Sequence, residues 1–151
     1  MTAAAPIPQV DVRAVLADAG DRVRAAMDRV LRSGWYILGG EVRAFEEAFA
    51  AYIGVPYAIG VGNGTDAVEL ALRAEGIEAG DRVATVSHTA VATVAAIRRI
   101  GAIPVWVDID ESTYTLSPDA FGRVLASSRG VGVKAVVVVH LYGCPADMPA
   151  I

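Results

Sequence analysis

The 151-residue chain has one cysteine, Cys144, one lysine, Lys134, and two histidines, His88 and His140. A single thiol cannot close an internal disulfide, which rules out a disulfide-stapled scaffold and fits a reducing, cytoplasmic setting. The two histidines and the cysteine are well separated and lack ligand spacing, so a metal site is not expected. Charge is scarce too. Asp, Glu, Lys and Arg make up 20% of the chain, and the formal net charge of −4 is a mixed scatter of both signs. With no basic run or stripe, the sequence argues against a duplex nucleic-acid partner, which needs clustered Arg and Lys. The longest apolar runs, such as AVVVV at 135–139, are far too short to cross a bilayer. The opening MTAAAPIPQVDVR has neither the basic start nor the apolar stretch of a signal peptide. The expectation is a cytoplasmic protein with no membrane partner.

Apolar residues, by contrast, make up 54% of the chain, a balance that fits extensively buried elements and argues against disorder. The length suffices for one domain with a real core but is small for a complete two-substrate enzyme. After a Pro-containing arm, Val12, Val15, Leu16, Ala19, Val23, Met27 and Val30 recur at spacings of three and four. That spacing predicts an amphipathic helix over 11–32. SGWYILGG breaks it, and a second helix is predicted from about Glu41, whose carboxylate suits a helix N-terminus. Strands are then predicted at 57–61, 82–87, 103–110 and 134–140, alternating with helices at 65–75, 89–101 and 117–128. Ser117 is the expected N-cap of the last helix, with Pro118 at its first position. Alternating strands and helices imply an α/β fold, a three-layer sandwich with a largely parallel sheet. The run VVVV suits a strand covered on both faces.

The stretch GVGNGTDAVELAL, residues 60–72, places Gly60, Gly62 and Gly64 within five positions just before helix-forming sequence. Two readings are open. The glycines make a tight strand-to-helix turn, or they let a ligand approach the backbone closely. In the second case the amides of a helix start favour an anion, most often a phosphate. Two named loops are excluded: GxGxxG requires glycine at position 65, where Thr65 stands, and GxxxxGK[ST] requires a lysine that is absent. The carboxylate of Asp66 opposes an anion in direct contact and is expected to point elsewhere.

Other segments join this loop. GWYILGGEVRAFEEAFAAYIGVPYAIGVGNGTDAVELAL, GDRVATVSHTAVATVAAIRRIGAIPVWVDID, TYTLSP and VVVVHLYGCPADM occur in this order. Together they resemble the nucleotide-sugar aminotransferases of the DegT/StrS type, pyridoxal-phosphate enzymes of the aspartate-aminotransferase fold. The likeness runs from about residue 30 to the end. It implies the front part of the large domain of a fold-type-I enzyme, with an arm and helix at 1–33 and an incomplete cofactor-binding domain at 34–151. It also implies that Gly64, Thr65 and the Asp66 backbone N–H hold the phosphate of pyridoxal 5'-phosphate. The segment SHTAVATVAAI is similar to the one that covers the pyridine ring, but Ala90 stands where the family carries an aromatic. Either His88 supplies the stacking surface or a small apolar residue covers the ring. Trp35 and Tyr36 fall in the family's segment near the substrate entrance. Tyr36, with His140 and Tyr142 at the end of the AVVVV strand, is a candidate substrate contact. The alternative for Trp35 is an anchor of the first helix against the core. Asp108 and Asp110 are read as turn-forming rather than as a catalytic pair.

By resemblance, the reaction moves an amino group from an amino acid, glutamate in our reading, to a nucleotide-linked keto-sugar, in a homodimer. It requires a lysine and an acid paired with the pyridine nitrogen, which in the family lie beyond the LYG-x-PAD block. Lys134 precedes a strand and matches no catalytic lysine, so no residue here is assigned as catalytic. The chain is therefore expected to be an N-terminal portion, inactive alone. A sugar dehydratase of the same family, a non-catalytic remnant acting as an interaction module, and an unrelated α/β phosphate binder are the alternatives. A chain of this kind exposes apolar surface and is expected to associate in solution. Light scattering checks this, and a compact, soluble monomer would contradict it.

Overall fold

The computed structural model describes residues 9–151. The first eight residues of the expected arm lie outside the described residues. Two compact units divide the chain, one ending at Gly60 and the other running from Val61 to Ile151.

The first unit holds two helices, α1 (Val12–Ser33) and α2 (Gly40–Ile53). Asp11 caps α1 by accepting the N–H groups of Arg13 and Ala14 at 3.0 and 3.2 Å. Gly34 ends α1 in the left-handed conformation, φ 65°, where a Cβ would be strained. The Arg29 guanidinium forks onto the Glu41 carboxylate, Nε to Oε1 at 2.6 Å and Nη2 to Oε2 at 3.1 Å. That hydrogen-bonded pair raises the Arg29 pKa and lowers that of Glu41. Phe45 and Phe49, one turn apart, stack with ring centroids 5.6 Å apart. On the apolar stripe predicted for α1, Leu16, Val23 and Met27 are exposed. Two helices cover each other along one seam only. Among the described residues of this unit, Ala50 alone is buried.

The strand predicted at 57–61 does not form. A strand exists only through a neighbour that completes its ladder, and no such partner is present among the described residues. Its Gly60 N–H is given instead to the Glu46 carboxylate of α2, at 2.6 Å.

The second unit runs α3 (Gly64–Ala74), β1 (Arg82–Val86), α4 (Val91–Arg99), β2 (Ile103–Val107), α5 (Pro118–Leu125) and β3 (Val133–Val136). A 3-10 turn, Leu141–Gly143, follows. The strands form a parallel sheet in the order β2-β1-β3, so α4 and α5 are the crossovers that parallel pairing demands. The side chains of central β1 alternate between two cores. On one face Ala84 and Val86 join Val105 and Val107 of β2 and pack against Leu116, Ala120, Phe121 and Val124. On the other, Val83 packs with Leu72, Ile77, Ile97, Ile100 and Ala102. Helices therefore cover both faces, which is the layered α/β arrangement predicted. Ser117 caps α5 as expected, its hydroxyl accepting the Ala120 N–H at 3.2 Å with Pro118 at the first position.

β3 is shorter than the 134–140 predicted. After Val136 one further backbone bond is made, from Val137 N–H to Ala84 O at 2.8 Å, and the Thr85 hydroxyl donates to Val137 O at 3.0 Å. Among the described residues β3 pairs on one side only, and the valine run continues beside the last residues of β1 as half-buried irregular chain.

At the N-terminal edge of the sheet the Lys134 ammonium lies 2.7 Å from Asp81 Oδ1, while Asp81 Oδ2 accepts the Glu78 N–H at 2.9 Å. The Lys134 hydrogen bond and the Glu78 N–H hold the Asp81 carboxyl below the usual range, and Asp81 raises the Lys134 pKa. The Asp81 contribution to stability is present above the unfolded carboxyl pKa and is lost as pH falls through the lowered folded value. The Lys134 contribution is present below its unfolded value and is lost as pH rises through the raised one. Asp81→Asn is thus expected to melt below the parent at pH 7, with the gap closing as pH drops below about 4. Melting curves from pH 7 to 3 check this, and a gap independent of pH would contradict it.

Candidate functional site

Local geometry bears on the two readings of the glycine stretch. None of Gly60, Gly62 and Gly64 has a positive φ, so the turn does not need glycine for a left-handed backbone. Space is tight at Gly62 alone, and a Cβ on Gly60 would make ordinary contacts. A Cβ on Gly62 would lie 3.1 Å from Asp66 Oδ2, and one on Gly60 would lie 3.4 Å from Glu46 Oε1 and 3.5 Å from Val42 Cγ1. A Cβ on Gly64 would meet nothing within 4 Å. The backbone at the helix start is open to an approaching group.

Asn63 is the N-cap of α3. Its Oδ1 accepts the Asp66 N–H at 2.9 Å, and its Nδ2 donates to Asp66 Oδ2 at 2.9 Å. The Asp66 amide, expected to face an anion, is therefore taken by a side chain of the protein itself. The N–H groups of Gly64 and Thr65 and the Thr65 hydroxyl have no partner among the described residues. What remains at this helix start is a set of donors, reinforced by the positive end of an 11-residue helix. The Asp66 carboxylate bonds Asn63 Nδ2 and the Arg99 guanidinium. Arg99 Nη1, at the end of α4, reaches Asp66 Oδ1 at 3.0 Å and Glu69 Oε2 at 3.7 Å, and Arg73 clasps Glu69 at 3.0 and 3.1 Å.

A second grouping lies past the C-terminal ends of the strands, where ligands bind in open parallel sheets. His88 follows β1, Tyr114 lies between β2 and α5, and Tyr142 sits in the turn after β3. Their rings cluster with centroids 5.8 to 6.3 Å apart, and Tyr142 Oη lies 3.3 Å from His88 Nε2. Tyr114 and Tyr142 both have left-handed backbones, φ 58° and 56°, a conformation that costs bulky residues about 1–3 kcal/mol and gathers at functional sites. The Tyr114 turn is held by its N–H bond to Asp110 O at 2.8 Å. The Asp110 carboxylate accepts the Ser112 N–H at 2.9 Å and the Thr113 N–H at 3.1 Å, with the Ser112 hydroxyl also bonded. These bonds keep the Asp110 carboxyl below its usual range, led by the Ser112 hydroxyl. Asp110 is a turn-former, as read from the sequence.

His140 stands outside the aromatic cluster. Its Nδ1 accepts the Ala146 N–H at 2.9 Å and so ties down the turn that carries Tyr142. Tyr36 belongs to the first unit, where it is exposed and lines a cleft with Trp35, Arg29 and Glu41. Trp35 is exposed as well, not an anchor in a core. Sequence reasoning missed Asn63, Arg99 and Tyr114. Asn63 had a legible signal, an N-cap type three residues before an acid at a helix start. Arg99 had none, being brought to Asp66 only by the packing of α3 against α4.

A family model described as the DegT/DnrJ/EryC1/StrS aminotransferase family matches residues 17–151. A dTDP-3-amino-3,6-dideoxy-alpha-D-galactopyranose transaminase from Aneurinibacillus thermoaerophilus is 46% identical over 145 residues, covering 96% of this chain and 39% of that protein. The crystal structure of S. venezuelae DesV in complex with a ketimine intermediate is similar with a TM-score of 0.87 at 42% identity, covering 95% of this chain and 38% of the other. The structure of ntda from Bacillus subtilis with bound cofactor PMP is similar with a TM-score of 0.82 at 30% identity, covering 89% and 30%. The chain spans about two fifths of the length of the curated relative it matches.

The cap geometry makes Asn63→Ala informative. Loss of the side-chain acceptor is expected to cost about 1 kcal/mol of stability. Urea denaturation of the variant beside the parent measures it, and an unchanged midpoint would contradict the cap.

Proposed function

The chain belongs to the DegT/DnrJ/EryC1/StrS aminotransferase family, and from that premise we propose that it carries the phosphate-holding part of a site for pyridoxal 5'-phosphate. The protein's reaction, in this proposal, moves an amino group from an amino acid, glutamate in our reading, onto a nucleotide-linked keto-sugar. The observation that carries the reading is the open start of α3, where the Gly64 and Thr65 N–H groups and the Thr65 hydroxyl have no partner among the described residues. The residues present suit the group. All three are neutral donors, a helix dipole stands behind them, and no Cβ at position 64 blocks approach.

Pyridoxal phosphate, when bound, supplies a reactive aldehyde and an electron-withdrawing ring. The work of this chain is to bind and orient. Gly64 and Thr65 hold the anionic tail, and Asn63 shapes the helix start by removing the Asp66 amide from the donor set. His88, with Tyr114 and Tyr142, offers aromatic surface at the C-terminal edge of the sheet, where His88 is our candidate for ring contact. Tyr142 and His140 are proposed to meet the sugar nucleotide, and Tyr36 is proposed, independently of them, as a substrate contact. Similar proteins act on dTDP- and UDP-linked sugars by name, which supports that substrate class.

Imine chemistry needs a lysine. The chain's single lysine, Lys134, is engaged with Asp81 at the N-terminal edge of the sheet, the end opposite the aromatic cluster. We therefore propose that the 151 residues alone turn nothing over. A homodimer and a cytoplasmic location complete the reading, supported by family membership and by the lone thiol. No helix among the described residues is long and apolar enough to cross a membrane.

Pyridoxamine 5'-phosphate, which has no aldehyde to react with stray amines, is the probe of choice. Thr65→Val removes one donor and is expected to weaken its binding by about 1 kcal/mol, roughly fivefold in Kd. Titration calorimetry measures the change. Binding of pyridoxamine as tight as that of its phosphate ester, or no effect of Thr65→Val, would overturn the assignment.

A further inference from the structure

We propose that Arg99 is a positioning residue for the anion site at the start of α3: it neutralises Asp66, so that an acid in the first helical turn does not repel a bound phosphate. The inference rests on the reading of that helix start as a phosphate cradle and adds the residue that makes it compatible with a dianion.

The geometry shows why a counter-charge is needed. Asp66 lies in the first turn of α3, the turn that presents the Gly64 and Thr65 amides, its Oδ2 bonded to Asn63 Nδ2 at 2.9 Å and 3.1 Å from where a Cβ on Gly62 would stand. A helix N-terminus carries about half a positive charge. A full carboxylate charge beside it more than cancels that. Arg99 reaches the other oxygen, Oδ1, at 3.0 Å from the end of α4, 33 positions along the chain. Glu69, the second acid on this face, has its own cation in Arg73 at 3.0 Å. Two acids and two arginines thus close a balanced set. Loss of Arg99 leaves one unmatched negative charge in the turn that presents the Gly64 and Thr65 amides.

Stability does not explain the pair. The Arg99 and Asp66 side chains are 54% and 39% exposed, and ion pairs so placed add little to folding free energy. Their effect on a nearby anion is larger, because Asp66 would act at short range on a ligand carrying about two negative charges. Asp66 itself has a reason to stay. Its carboxylate fixes the amide group of Asn63, which in turn caps the helix. Arg99 keeps that bond while removing its electrostatic cost.

The test uses the full 151-residue chain, titrated with inorganic phosphate and with pyridoxamine 5'-phosphate. Arg99→Met, which keeps the stem and drops the charge, is expected to raise Kd for both roughly three- to tenfold while its melting temperature stays near that of the parent. Arg99→Lys is expected to restore most of the affinity. Asp66→Asn is expected to bind at least as tightly as the parent, and the Asp66→Asn, Arg99→Met double variant to return within about twofold of it. Unchanged affinity in Arg99→Met, weaker binding in Asp66→Asn, or a double variant as weak as Arg99→Met would each overturn the proposal. A parent chain that binds neither ligand would overturn the cradle itself, and this inference with it. A parent that binds while Arg99→Met binds equally would overturn the role of Arg99 alone.

Discussion

Two backbone N–H groups at the first turn of α3, those of Gly64 and Thr65, have no acceptor among the described residues, and the local structure keeps them that way. Any helix start leaves several donors orphaned. Here the N-cap side chain of Asn63 satisfies the Asp66 amide and leaves the first two. The glycines before the helix are explained by the same constraint. Gly62 leaves room for the Asp66 carboxylate beside the backbone, and Gly64 leaves the helix start bare. The charge network on α3 keeps the carboxylate paired with Arg99. Each feature alone is common in α/β proteins. Their agreement at one turn is what supports an anion as the guest.

The sheet gives that turn its rigidity. α3 packs through Leu72 into the core formed with Val83, Ile97 and Ile100, so its axis is fixed by buried side chains. The opposite core, with Phe121 and Val124 of α5, stiffens the same β1 from the other side. Loops leaving the C-terminal ends of the three strands then carry His88, Tyr114 and Tyr142 to one place. Two of these residues hold strained left-handed backbones, which the Asp110 turn and the His140–Ala146 bond maintain. The chain's lysine is used at the other end, in the Lys134–Asp81 pair.

Elements whose causes are local were legible in the sequence. Ser117 and Pro118 mark the start of α5, Glu41 sits in the first turn of α2, and the alternation of apolar runs with helical periods gives the layered fold. Where a neighbour decides, the sequence misled. Residues 57–61 have strand composition, yet a strand is a pairing and no partner is present among the described residues. The valine run after Lys134 reads as strand to His140, but β3 leaves the ladder after Val136, opposite Ala84 and two residues before β1 ends. At the site, Thr65 and the glycines were visible as a motif, and Asn63 should have been, as a cap three residues before an acid. For the glycines the sequence leaves a tight turn and a close ligand approach both open; their φ angles are ordinary, and of the three only Gly62 would crowd a neighbour with a Cβ. Arg99 and Tyr114 carried no local signal. Only the packing of α3 on α4 and the convergence of three loops brings them to their partners.

Family membership and geometry meet at one claim, that the Gly64 and Thr65 amides receive the cofactor's phosphate. Amide chemical shifts test it most directly. In a nitrogen-15 labelled chain titrated with pyridoxamine 5'-phosphate, the largest shifts are predicted at Gly64 and Thr65, with inorganic phosphate moving the same two signals and unphosphorylated pyridoxamine leaving them still. Shifts centred elsewhere, or equal responses to pyridoxamine with and without its phosphate, would contradict the account.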